Sequence, residues 1–190
     1  MGLVTREGKG SKLTIQEMDG NLTYLDNIVG VKDSNKYESL AVTTEQILST
    51  TLIPANTFSD LDAVQLKVLL FKTGTNGTLG LTRAYINTVP TLSGASVFVE
   101  LSENGSNLAA TKIFFLENFY SIIKSGKIKG TPQYHPGAGN INMLRSKQNQ
   151  SLPVEIPFDF TVDNYIINAV TLASTLDTIT QESLVFKKIN

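Results

Sequence analysis

The feature that most constrains the fold is a series of short apolar segments, rich in β-branched and large residues, with turn-forming residues between them. Residues 63–72 and 165–172 are two such segments. Asn76-Gly77, which separates the first of them from the alternating segment 78–86, is the strongest kind of hairpin signal. Strand character is also found in 96–101, 110–117, 119–124, 152–160 and 184–189. Strands that recur at this spacing, with turns between them, are typical of β-sandwiches and jelly rolls.

The chain is therefore expected to be mainly β, a jelly-roll-like antiparallel β-sandwich preceded by a short helical arm. We predict an N-terminal arm for attachment or oligomerisation at residues 1–36 and the sandwich body at 37–190. The join, Gly30–Lys36, is polar and turn-prone. Within the body, residues 131–150 form the longest stretch without periodicity and are predicted to be a loop, where interaction sites are often found.

The arm carries a helix signal at about residues 14–29. Thr14 and Glu17 have the spacing of a capping box, in which each side chain bonds the backbone amide of the other residue. Apolar residues follow in alternating steps of three and four, as in a heptad seam: Ile15, Met18, Leu22, Leu25 and Val29. Because so short a helix is marginal alone in water, this stripe must be buried on the body, between copies of the chain, or in a larger partner.

Composition excludes several kinds of chemistry. The chain has no cysteine, so disulfides, thiolate metal sites and cysteine nucleophiles are excluded, and its single histidine, His135, excludes any site that needs two. The 16 Lys and Arg residues nearly balance the 17 Asp and Glu residues, whereas nucleic-acid binders carry a basic face. No nucleophile, phosphate-binding or dinucleotide motif is present. We therefore predict no enzyme activity, catalytic residue, metal or cofactor, and no nucleic-acid partner.

The remaining signals are weak. Asp60 and Asp62 lack the surrounding pattern of a calcium loop and are expected to be solvated turn charges, like the other acidic residues found near turns, which are Glu103, Asp163 and Asp177. The N-terminus lacks the apolar region of a secretory signal, and no apolar run approaches the roughly 20 residues of a membrane span. We therefore expect a soluble chain made in a cytoplasm, without membrane insertion.

One family resemblance adds to this picture. Residues 10–25 resemble a stretch near the start of fibre and other surface components of tailed-phage particles. Four segments of the body are similar to β-sandwich domains of the same class of proteins: 53–58, 71–75, 85–88 and 159–166. The resemblance touches most of the chain, is moderately specific for a phage particle protein, and brings no catalytic motif with it.

The resemblance implies a non-enzymatic virion component, assembled in the bacterial cytoplasm: a head fibre, a capsid decoration or a tail-fibre protein. Such a protein would form a symmetric oligomer, with a trimer preferred because phage fibres are trimers, and would contact capsid, portal or tail proteins. Two alternatives stay open. The body could bind host-surface glycans through the 131–150 loop and nearby residues, with Tyr120, Tyr134 and His135 as candidates, or it could be a polysaccharide depolymerase.

Overall fold

A computed structural model describes residues 13–18, 30–74, 80–103, 112–130, 145–146 and 154–189. A helical turn covers residues 15–18. The remaining elements of this part are strands: β1 (Val31–Asp33), β2 (Tyr37–Glu38), β3 (Gln46–Ile53), β4 (Ala63–Thr73), β5 (Gly80–Asn87), β6 (Ser96–Glu103), β7 (Lys112–Ile123), β8 (Lys127–Gly130), β9 (Arg145–Ser146), β10 (Val154–Pro157), β11 (Asn164–Leu172) and β12 (Thr178–Lys188).

Eight of these strands pair from the outside of the chain inwards. β1 pairs with β12, β3 with β11, β4 with β7, and β5 with β6, all antiparallel. The chain is thus one long antiparallel hairpin, and this hairpin is rolled up by two further pairings, β12 with β4 and β11 with β5. Nested pairing followed by rolling is the topology of a jelly roll. The predicted fold class is confirmed.

Rolling produces two sheets that pack face to face. The order in the seven-stranded sheet is β1-β12-β4-β7-β8-β10, with β2 also paired to β12. The order in the five-stranded sheet is β3-β11-β5-β6-β9. β8, β9 and β10 follow β7 and precede β11 in the chain, and they widen both sheets beyond the eight strands of the jelly roll.

The core lies between the two sheets, and alternate residues of each strand point into it, as the two-residue period of a strand requires. Within the core, Phe186 packs against Phe58 and Phe98, and Phe58 packs in turn against Phe158. The ring centroids of Phe58 and Phe186 are 5.0 Å apart, and the two ring planes are inclined at 71°. This edge-on geometry is the one that the charge distribution of aromatic rings favours. These four phenylalanines are therefore core residues.

Several strand boundaries differ from the sequence prediction. The segments 110–117 and 119–124 form one continuous strand, β7, and Val31–Asp33, which the sequence placed in the polar join, forms β1 against β12. β3 was not predicted. Asn168 of β11 pairs with Ser49, but the next residue, Ala169, pairs with Ile47, so Leu48 is skipped in the register. As a result, the adjacent residues Leu48 and Ser49 are both buried. This bulge removes the alternation by which strands are recognised.

The predicted capping box is present. Glu17 N donates to Thr14 Oγ1 at 3.2 Å, and Thr14 N donates to a Glu17 carboxylate oxygen at 2.7 Å. Met18 N donates to Thr14 O at 3.0 Å, which closes the first helical turn. The rest of the predicted helix lies outside the described residues, as do Asn76-Gly77 and most of the 131–150 loop. In the described part of the chain, no helix has the length and apolar character needed to cross a membrane.

Candidate interaction surface

The outward surface of the five-stranded sheet, here called the outer face, is formed by alternate residues of four strands. In β11, Ile166 and Val170 belong to the central core, whereas Ile167 and Ala169 belong to a second cluster on the opposite side of the sheet. Strand register extends this side into three rows, which are Leu52–Tyr165–Asn87, Thr50–Ile167–Tyr85–Val97 and Ile47–Ala169–Arg83–Glu100.

The centre of the outer face is covered by the connection between β5 and β6. Leu92 and Ala95 from this connection pack on Tyr85, Ile167 and Ala169. The side chain of Asn87 holds the connection in place, because its Nδ2 donates to the carbonyl oxygens of Thr91 at 2.8 Å and Ser93 at 3.0 Å. A segment without regular structure thus becomes a fixed part of the surface.

The margins of the outer face are apolar and open. Ile47 and Leu52 on β3 are 42% and 43% exposed, and Val97 on β6 is 39% exposed. β3 and β6 lie on either side of the central strands β11 and β5, so these residues flank the covered centre on both sides. Isolated exposed apolar residues need no explanation, but these three are parts of one sheet face.

At one end of the outer face, a charged group is fully paired. Arg83 Nε lies 2.6 Å from Glu100 Oε2, and Arg83 Nη1 lies 2.9 Å from Glu45 Oε1. The Tyr85 hydroxyl donates to the same Glu45 oxygen at 2.7 Å. The two carboxylates thus share one guanidinium.

The hydrogen bonds of this group set its protonation. Burial acts to lower the pKa of Arg83, but the hydrogen bonds to Glu100, Glu45 and Tyr85 outweigh it, and the pKa lies above its ordinary value. Burial raises the pKa of the Tyr85 hydroxyl, and its hydrogen bond to Glu45 raises it further. Arg83 and Tyr85 therefore both keep their protons at neutral pH, so neither is poised for proton transfer there.

The outward surface of the seven-stranded sheet has a different character. Lys32 and Lys67 stand exposed on either side of Val185. Glu155 accepts from Lys129 at 2.7 Å and from Lys127 at 3.1 Å, and these two hydrogen bonds lower its pKa. This surface carries exposed lysines and ion pairs and one exposed large apolar residue, Ile122, whereas the outer face carries three, which are Ile47, Leu52 and Val97. Of the two, the outer face is the better candidate for contact with protein.

The outer face also ends at an unusual edge. Among the described strands, β3 is the terminal strand of its sheet and pairs with β11 alone. Natural edge strands are usually protected by charge, proline or shortness. β3 has eight residues, and none of them is charged or proline. No strand of the described part of the chain covers the free edge of β3, and such an edge can pair with another strand.

The residues predicted as sites are described only in part. On the arm, Ile15 is 73% exposed and Met18 45% exposed, so neither is buried on the described body. Leu22, Leu25 and Val29 lie outside the described residues, as do Tyr134 and His135. The backbone of Tyr120 lies within β7, and its place relative to the other two loop candidates stays a prediction.

Two acidic residues predicted to be solvated turn charges are buried. Asp177 is inaccessible and lies 3.1 Å from Lys72 Nζ. Asp62 is 7% exposed, lies 2.6 Å from Lys188 Nζ and accepts from Ser59 N at 2.9 Å. The prediction was wrong for both, because their lysine partners are distant in the sequence. Among the described residues, no group of three or more acidic or histidine side chains could hold a metal ion.

Sequence reasoning missed the outer face altogether. Residues of the outer face alternate with core residues on the same strands. In the sequence, the apolar residues of the two sides cannot be told apart until the strand register is known. The one available signal was the absence of charge from 46–53.

Comparisons with known proteins give weak structural likenesses. No protein-family profile and no curated protein sequence matches the chain. Among solved structures, the infectious bursal disease virus VP2 subviral particle is similar at 13% identity over 84% of this chain and 32% of that one, with a TM-score of 0.32. The Gx strain structure of the same virus is similar at 10% identity over 86% of this chain and 30% of that one, with a TM-score of 0.30.

The chain spans about a third of the length of these two structures. At these TM-scores the likeness supports no argument about fold or function. The jelly roll is established by the strand pairing described above.

Proposed function

We propose that this chain is a non-enzymatic structural component of a virus particle and that it works as a symmetric oligomer. The observation that supports the proposal best is the contrast between the two surfaces of the sandwich, one rich in lysine, the other apolar at its margins and ending at an uncharged edge strand. A soluble monomer gains nothing from such an edge, whereas an assembling subunit can bury it against a second copy.

The particle we propose is a tailed bacteriophage, assembled in the bacterial cytoplasm, and the chain is a head-fibre, decoration or tail-fibre protein. The resemblance of residues 10–25 to such proteins supports this assignment. The exposure of Ile15 and Met18 supports the arm as a second contact, with a seam of Ile15, Met18, Leu22, Leu25 and Val29. A trimer is the proposed oligomer, and capsid, portal or tail proteins are the proposed partners.

The proposal is tested on particles purified from bacteria that carry the gene. Mass spectrometry of the purified particles is expected to recover peptides of this chain in a fixed ratio to the major capsid protein. Recovery in the soluble lysate alone, with none in the particles, would contradict a virion role.

The second candidate is a module that binds host-surface glycans through Tyr120, Tyr134 and His135. The jelly roll is also the fold of lectin domains, and this is what favours the alternative. A glycan array with the full chain is expected to show binding that Tyr120→Ala and Tyr134→Ala abolish. Full retention by both variants would remove these residues as a site. A polysaccharide depolymerase stays the least supported alternative.

A further inference from the structure

A group of polar side chains lies inside the sandwich, where the rest of the core is apolar. Ser49 comes from β3, Thr82 from β5, Asn168 from β11 and Gln181 from β12, so the group joins both sheets. All four residues are 2% exposed or less. Buried polar groups are normally hydrogen-bonded, and each exception calls for an explanation.

Gln181 is the centre of the group. Its Oε1 accepts from Ser49 Oγ at 2.6 Å and from Asn168 Nδ2 at 2.8 Å. These two hydrogen bonds use both lone pairs of the oxygen. Three other atoms have no hydrogen-bond partner in the protein: Gln181 Nε2, Asn168 Oδ1 and Thr82 Oγ1.

Exchanging the amide oxygen and nitrogen positions does not remove this deficit. If Gln181 is turned, its nitrogen faces the nitrogen of Asn168, so Asn168 must turn as well. The bond between the two side chains is then restored in the opposite direction, and one amide oxygen and one amide nitrogen are again left over. The unpartnered amide atoms are therefore a consequence of where these residues lie, whichever way the two amides are oriented.

Strand register makes Asn168 and Thr82 neighbours, and a hydrogen bond links Asn168 to Gln181. On β11 and β5, Asn168 is opposite Ala84 and Val170 is opposite Thr82, so Asn168 and Thr82 are diagonal neighbours on the inward side. Diagonal side chains lie roughly 7–8 Å apart at the backbone, a separation that one small molecule between the side chains can bridge. Gln181 reaches the same place from the opposite sheet through its bond to Asn168.

The strand pairing is irregular at the same level. The register of β11 with β3 shifts between Asn168 and Ala169, and that of β12 with β4 shifts between Gln181 and Ser183. A bulge bends a strand and disrupts the ladder locally. Each sheet therefore has an irregularity in its strand pairing at the level of the polar group.

We propose that this group is a binding site for one buried water molecule. The water accepts from Gln181 Nε2 and donates to Asn168 Oδ1 and Thr82 Oγ1, so each of the three atoms gains a partner. Three hydrogen bonds are typical for a buried water. The water would link two strands of one sheet to a strand of the other and so fix how the two sheets face each other. This proposal is independent of the virion role.

The test uses the full chain and three variants. Thr82→Val keeps the shape of the side chain and removes the hydroxyl, Thr82→Ser keeps the hydroxyl, and Ser49→Ala breaks a direct hydrogen bond as a reference. The readouts are the midpoint of thermal unfolding and a high-resolution crystal structure.

If the water is bound, density appears within hydrogen-bond distance of all three atoms in the unmodified chain and in Thr82→Ser. Thr82→Val then unfolds at a lower temperature, as Ser49→Ala does, because a water partner is lost. If the cluster is dry, the density is absent and Thr82→Val unfolds at a higher temperature, because it removes an unsatisfied buried hydroxyl. Either of these last two results would overturn the proposal.

Discussion

At the scale of single residues, the clearest long-range constraint is the ion pair of Lys72 and Asp177. Both side chains are buried, and it joins the end of β4 to the turn before β12. Gly74 makes the approach possible, since it has a φ of +136° and any Cβ there would overlap Asp177. The sequence shows both residues but not their pairing, which only the roll of the sheet creates.

Lys72→Met should destabilise the protein strongly, because it leaves the Asp177 carboxylate buried without its cation. Loss of one partner of a buried pair costs about 3–5 kcal/mol. Urea unfolding followed by circular dichroism measures the change, and Lys72→Met with Asp177→Leu is the matched control. The double variant should recover much of the loss. A single variant as stable as the unmodified chain would mean that the pair is not buried.

Tyr85 gives a prediction for alkaline pH. Its pKa is raised above 10.0 by burial and by Glu45, so the folded state holds the hydroxyl proton more tightly than the unfolded state does. Its contribution to stability is therefore complete below pH 10 and is lost as pH rises through the folded pKa. Between pH 9 and 11, the unfolding midpoint of Tyr85→Phe should fall less than that of the unmodified chain. If the unfolding midpoints of the two proteins fall equally with pH, ionisation of Tyr85 does not contribute to the loss of stability at alkaline pH.

At the scale of elements, the sequence predicts long apolar strands well and edge elements poorly. β4 and β11 are rich in large apolar and β-branched residues and were predicted at nearly their observed bounds. β1 has three residues and is held by its pairing with β12 at the other end of the body. The Asp33 carboxylate adds local bonds, since it accepts from the Tyr37 hydroxyl at 2.8 Å and from Asn35 N at 2.9 Å. No local sequence pattern predicts such a strand, which is why the sequence prediction placed Val31–Asp33 in the arm.

The arm prediction belongs to this scale. Leu22→Asp places a charge on the proposed seam, and burying an unpaired charge is strongly unfavourable. If the arm joins copies, the variant should dissociate at higher protein concentrations than the unmodified chain, with an unchanged strand signal in circular dichroism. Light scattering over a dilution series measures this, and a chain starting at Gly30, which keeps β1, is the reference without the arm.

Two results would contradict the seam. An identical dilution series for Leu22→Asp and the unmodified chain would show that the stripe makes no contact between copies. Loss of the strand signal in Leu22→Asp would instead show that the stripe is packed on the body of its own chain.

At the scale of the whole molecule, fold class followed from strand spacing, but the functional surface did not. A jelly roll gives each strand an inward and an outward side, and the sequence cannot say which side is which until strands are placed in register. Tyr85 and Ile167 read as core residues and are buried, yet they lie on the outer face under the 88–95 connection. The outer face is therefore a product of the topology.

Solution mass as a function of concentration tests the central claim, that copies meet at the outer face. Leu52→Lys places a charge on this face, and Ile122→Lys, at a position 38% exposed on the seven-stranded sheet, is the matched control. Light scattering should show the unmodified chain and Ile122→Lys as the same multimer, and Leu52→Lys as smaller species at the same concentrations. Equal masses for all three proteins at every concentration, or an unmodified chain that is monomeric throughout, would contradict the account.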